Sequence, residues 1–103
     1  MKYIVADRFR ADLARLSPAH RALFAKVIRE AFLPALERRR TDRSAAWPAG
    51  LRVRAIAQAP GIWEMTWSFA GPDGRATFEW VTVDGEPAIR WRRIGSHDVF
   101  EEP

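Results

Sequence analysis

Only two histidines occur in 103 residues, His20 and His97. His97 stands in the stretch RWRRIGSHDVF (90–100), where arginines and β-forming residues give way to Gly95 and Ser96, and Asp98 follows it. An imidazole titrates near neutrality, at an unperturbed pKa of about 6.5, so it can take a proton in one step and return it in the next. Arginine stays charged, and its planar fork pairs with two phosphate oxygens. His97 with Arg75, Arg92 and Arg93 is therefore a partial set for metal-free cleavage of an RNA phosphodiester. That reaction needs a base for the 2′-hydroxyl proton, an acid for the departing 5′-oxygen and cations for the charged phosphorane. Arg52, Arg54, Arg90 and Arg92 suit contacts to an RNA backbone. Glu64 offers a further base, although an ion pair with a strand arginine is its simpler role. Asp98 either orients His97 or caps the next turn. The structural alternatives are a histidine hydrogen-bonded at a strand end and, for Arg75, a cross-strand salt bridge to Glu64 or Glu79.

Composition narrows the field. The absence of cysteine excludes disulfides and thiolate metal sites. The two histidines have no metal-ligand spacing, so neither a metal nor a cofactor is expected. No apolar run approaches the ~18 residues of a membrane span, and MKYIVADRF turns charged at Asp7, unlike a signal peptide. A cytoplasmic chain with no membrane partner is expected. An apolar content of 48% over 103 residues fits one domain, residues 1–103. The net charge of +4 is uneven: residues 1–56 hold thirteen Lys/Arg against five Asp/Glu, and residues 57–103 hold four against eight. The basic half points to nucleic acid or to an acidic protein.

The elements that must position these residues follow from periodicity. KYIVA (2–6) predicts a first strand, and Asp7 an N-cap for a short helix carrying Phe9, Leu13 and Leu16. Ser17-Pro18 predicts the start of a second helix with Leu23, Val27 and Ala31 beside Phe24, Ile28 and Phe32. Pro34 should kink or end it, with room for a further turn through Leu36, and a connecting loop is expected over 38–50. Strands are predicted over 51–56, 62–69, 75–83 and 88–94, with Asp84-Gly85 a hairpin turn. Alternation places Leu51, Val53, Trp63, Met65, Trp67, Phe69, Phe78, Trp80, Ile89 and Trp91 on one face, to pack on the helices. The opposite face collects Arg52, Arg54, Glu64, Thr66, Arg75, Thr77, Glu79, Arg90 and Arg92, and is expected to stand open to a partner. Arg93 falls by parity on the apolar face and needs a bulge or twist near Gly95 to join that set. The fold class is α+β, β-α-α-β-β-β-β, a twisted and mostly antiparallel sheet with two N-terminal helices on one face.

This order, with GIWEMTW, GRATFEWV and IRWRRIGSHDVF following one another in the meander, resembles the RelE/ParE superfamily of toxins from bacterial toxin–antitoxin pairs. GRATFEW is similar to the family's Gly-x-Arg strand, and RIGSHDVF to the Gly-Thr-His ending of the YafQ-type branch. The resemblance implies a RelE-like toxin that cuts mRNA, on the ribosome or free of it, and a cognate antitoxin that neutralises it in a hetero-oligomer. It implies that Arg75 binds the scissile phosphate region, that His97 does the acid–base chemistry and that Phe100 matches an aromatic residue near that histidine. It equally admits a ParE-like inhibitor of gyrase, or a catalytically weak module that only binds an antitoxin.

Overall fold

The computed structural model describes residues 3–67, 74–95 and 102–103. His97, Asp98, Phe100 and Phe69 lie outside the described residues. Strand β1 (Tyr3–Val5) leads into helix α1 (Asp7–Arg15) and helix α2 (Pro18–Val27). A π-helical segment, Ile28–Phe32, joins α2 to helix α3 (Leu33–Thr41). Strands β2 (Arg54–Ala55), β3 (Ile62–Thr66), β4 (Arg75–Val83) and β5 (Glu86–Gly95) complete a five-stranded sheet of order β1-β5-β4-β3-β2. The β1–β5 pair is parallel and the other three are antiparallel. The α+β class, with a mixed and mostly antiparallel sheet, is as the periodicity predicts.

Several local predictions are corrected. The N-cap of α1 is Ala6, with no side-chain bond, and Asp7 is the acidic residue of the first turn. Ser17 does cap α2: its Oγ accepts from the His20 amide at 3.1 Å, with Pro18 in the first turn. Pro34 does not end the helix, which runs on to Thr41, so Arg38–Arg40 are helical and not loop. In a regular α-helix the proline ring would press on the carbonyl of Glu30. Here the Leu33 amide bonds to the Ile28 carbonyl, five residues back, and this wider turn carries the chain past the proline. The strand expected over 51–56 shrinks to Arg54–Ala55, because Ala49–Leu51 form a 3-10 turn and Arg52 adopts a left-handed backbone with φ 48°.

The helices lie on the aromatic face of the sheet. Phe9, Phe24, Phe32 and Leu36 pack with Leu51, Met65, Trp67, Phe78, Ile89, Trp91 and Ile94 in one buried cluster. Trp91 is its hub, with ring centroids 5.1–5.7 Å from those of Phe9, Phe24, Phe32 and Phe78. Each large apolar side chain buried there contributes roughly 1.5–3 kcal/mol. Trp80 shares this face by parity but remains 38% exposed, a departure from the expected core role. The β4–β5 hairpin closes through Asp84 (φ 53°) and Gly85 (φ 78°), as the Asp-Gly pair predicts.

Gly74, just ahead of Arg75, has a packing reason. A Cβ there would lie 2.3 Å from the Trp67 ring, and the Gly74 carbonyl accepts from the Trp67 amide at 3.1 Å. Gly74→Ala should therefore destabilise the fold by about 1–3 kcal/mol through overpacking. A thermal melt should show the midpoint falling by about 4–8 °C per kcal/mol; an unchanged midpoint would mean that the Trp67 ring shifts aside at little cost.

Candidate functional site

The sheet face away from the helices carries the charged residues, and its geometry begins with a β-bulge. Phe78 pairs with Trp91, yet Thr77 pairs with Arg93, so Arg92 is the extra residue on β5. The register shift brings Arg93 opposite Thr77, a residue of the polar set, supplying the irregularity its placement required. The bulge lies three residues before Gly95.

Arg93 is held at the sheet edge. Its Nε donates to Asp12 Oδ2 at 2.6 Å, one Nη donates to Asp12 Oδ1 at 3.1 Å, and the other donates to the Glu102 carbonyl at 3.0 Å. Asp12 Oδ2 also accepts the Ile94 amide at 3.2 Å. The reason is topological. Strand β1 is only three residues long and pairs with Ile89–Trp91, so β5 outruns its neighbour. Helix α1 takes over beyond that point, and buried Asp12 supplies the acceptor that the strand edge lacks. Sequence reasoning missed Asp12. The available signal was a carboxylate three residues after Phe9, on the inward face of α1.

The other charges are paired as well. Glu79 accepts from Arg90 at 3.2 Å and from Arg92 at 2.9 Å, one carboxylate oxygen each. Arg54 Nε donates to Glu64 Oε1, the ion pair with a strand arginine that is the simpler role for Glu64. Glu64 is 3% exposed, and among the described residues its Oε2 has no hydrogen-bond partner. Arg75 starts β4, in register with Thr66 on β3 and Gly95 on β5. Arg52 is exposed at the end of the 3-10 turn. His20, on α2, meets the Trp67 ring edge-on at 5.8 Å and takes no part in this face.

The face is not open, contrary to expectation: Thr66 and Thr77 are buried. Residues 102–103 are seated against it. The Pro103 main-chain oxygen accepts from Thr77 Oγ1 at 3.2 Å and from Arg92 Nε at 3.0 Å, and Arg8 reaches Glu102 at 2.6 Å. The hydrogen bond and charge of Arg8 hold the Glu102 carboxyl below its ordinary value. Thr77 and Arg92 thus converge on one oxygen acceptor at the centre of the face. Among the described residues no group of three or more acids, histidines or cysteines could hold a metal, and no helix is long and apolar enough to cross a membrane.

No family model, no curated protein and no solved structure matches this chain.

Asp12→Ala should cost about 3 kcal/mol, because it leaves a largely buried guanidinium and an edge amide without their acceptor. Asp12→Asn, which keeps an acceptor for the Ile94 amide, should cost less; denaturant unfolding of the two variants separates the contributions. Acid should loosen the seated end. Glu102 has a lowered folded pKa, so its contribution is complete above the ordinary carboxylate value and is lost as pH falls through the lowered one. An NMR titration of the Glu102 carboxyl, followed with the Thr77 signals, reads this directly.

Proposed function

We propose that this chain is a RelE-like toxin that binds mRNA on its polar sheet face and cuts it without a metal. The observation that carries the reading is the oxygen acceptor held by Thr77 Oγ1 and Arg92 Nε in the middle of that face. Neutral and cationic donors that converge on one oxygen acceptor are also suited to a phosphate oxygen. The register is compatible with the same reading: Arg75 lies opposite Gly95, where β5 ends two positions before His97 in the sequence. In this scheme Arg75 holds the scissile phosphate and His97 moves protons to and from the reacting oxygens. Arg93 adds charge at the strand edge, and Arg52, Arg54, Arg90 and Arg92 follow the backbone. Ribosome and mRNA are the expected partners, together with a cognate antitoxin drawn to the basic half of the chain.

A second reading has its own support. Glu79 engages both Arg90 and Arg92, and Glu64 engages Arg54. A face whose arginines are already paired also suits a module that binds an antitoxin and cleaves nothing.

Expression of the chain alone should stop amino-acid incorporation before DNA synthesis, and primer extension should show cut mRNA. His97→Ala and His97→Gln should lower cleavage by about 10²–10⁴ with thermal melts unchanged, the usual contribution of a general acid or base. Arg75→Lys should also lose activity, since a point charge does not replace a fork. Folded His97→Ala that cuts at the parental rate ends the mechanism. DNA damage before any translational arrest favours gyrase as the target, and an inert chain that still binds its antitoxin favours the second reading.

A further inference from the structure

A separate groove lies between the C-terminal end of α3 and the β4–β5 hairpin. It has a volume of about 1030 Å³ and is lined by Arg39, Arg40 and Arg43, by Trp80, and by hairpin residues that include Glu86 but not Asp84. Trp80 lies on the helix face of the sheet, so the groove is on the opposite side from Thr77 and Arg92. Thr82 is seven positions along β4 from Arg75, about 23 Å of extended strand. The groove is therefore distinct from the polar face in both side and end.

Its chemistry is specific. Arg39 is fixed in place: its guanidinium lies 5.0 Å from the Trp47 ring centroid and donates to the Ala45 carbonyl at 2.6 Å. Trp47 is in turn stacked on buried Phe32, at 5.4 Å and 12°. Arg40 pairs with Glu37 at 3.7 Å, an exposed pair that a ligand can replace at little cost. Arginine in the last helical turn also offsets the helix dipole, which accounts for Arg39 and Arg40 in part. Arg43 lies beyond Asp42, the C-cap, and has no such role. Among the described lining residues the three arginines face a single carboxylate, Glu86. Beside them stands a tryptophan that is 38% exposed in a protein whose other described tryptophans are buried or half-buried.

We propose that this groove binds single-stranded nucleic acid, with the arginines on successive phosphates and Trp80 as the platform on which a base stacks. A cationic track beside an aromatic face is the pairing that holds single strands without reading their sequence. An acidic peptide would satisfy the arginines and leave Trp80 unused. The volume lies at the top of the ~300–1,000 Å³ range of small-molecule clefts, which suits a polymer segment. The inference stands on the groove's own residues and needs no cleavage chemistry.

The test is fluorescence anisotropy of a labelled octauridine titrated with the full chain at low salt. The parental chain should bind. Arg43→Glu and Arg40→Glu should each weaken binding by about tenfold or more, and the slope of log K against log salt should drop by about 0.7 for each phosphate that is no longer neutralised. Trp80→Ala should weaken binding by about 5- to 150-fold, the range for one stacked base, while Trp80→Phe keeps most of it. That contrast separates stacking from folding, and melts of each variant check the fold. Three outcomes overturn the proposal: no binding by the parental chain; groove variants that bind like the parent while Arg92→Glu abolishes binding; or polyglutamate that binds as tightly as the octamer and is indifferent to Trp80→Ala. A chain that binds through the groove and cuts no RNA refutes the proposed cleavage alone.

Discussion

Trp91 and Ile94 both belong to the core, yet they are three residues apart on one strand. A regular strand turns such a pair to opposite faces. The bulge at Arg92 resolves the conflict by adding one residue between the Phe78–Trp91 and Ala76–Ile94 pairs. Much else depends on it. Trp91 can sit among four phenylalanines, Ile94 can cover the same core toward Met65, and Arg93 comes opposite Thr77. Without the extra residue, either the aromatic hub or the far end of the core would face water.

The same edge explains the clamp between the first helix and the last strand. A three-residue β1 cannot pair with the whole of β5, so amides beyond Trp91 need other acceptors. Asp12 serves Ile94 and Arg93 together, joining residues eighty-one and eighty-two positions apart in the chain. A charge-assisted bond of this kind is stronger than a neutral one. It also leaves the guanidinium of Arg93 oriented by fixed partners, among them the Glu102 carbonyl on the polar face. The bonds that seat Pro103 there are few, one from the Thr77 hydroxyl and one from the charged Arg92, and each contributes at most about 3 kcal/mol against water. A charged ligand can compete for the same donors.

Helix α3 has a comparable structural cost and consequence. The π-helical turn at Ile28–Phe32 gives up regular α-helical bonding, and in return the helix passes Pro34 and continues to Thr41. That extension delivers Arg39 and Arg40 to the hairpin end of the sheet and lets Trp47 fold back between Phe32 and Arg39. Had the helix ended at the proline, Trp80 would have no basic neighbours across the groove.

The element order, the Ser17-Pro18 helix start, the Asp84-Gly85 hairpin and most of the aromatic core were legible in the sequence, because each rests on periodicity or on the backbone preference of one or two residues. The polar face was legible as a set of residues on alternate positions, and the ion pair of Glu64 followed from charge alone. The partners were not. Which carboxylate meets Arg93, and that Glu79 serves both Arg90 and Arg92, depends on register, and register depends on a bulge that no local pattern announces. The helix through Pro34 was misjudged because a π-helical turn is a compromise between a local penalty and the burial of Phe32 and Leu36. The covering of Thr66 and Thr77, and the groove beside Trp80, arise from segments distant in sequence that pack at the same place. Local propensity therefore determined the elements, while competition for a single core determined which charged groups met and which surfaces stayed exposed.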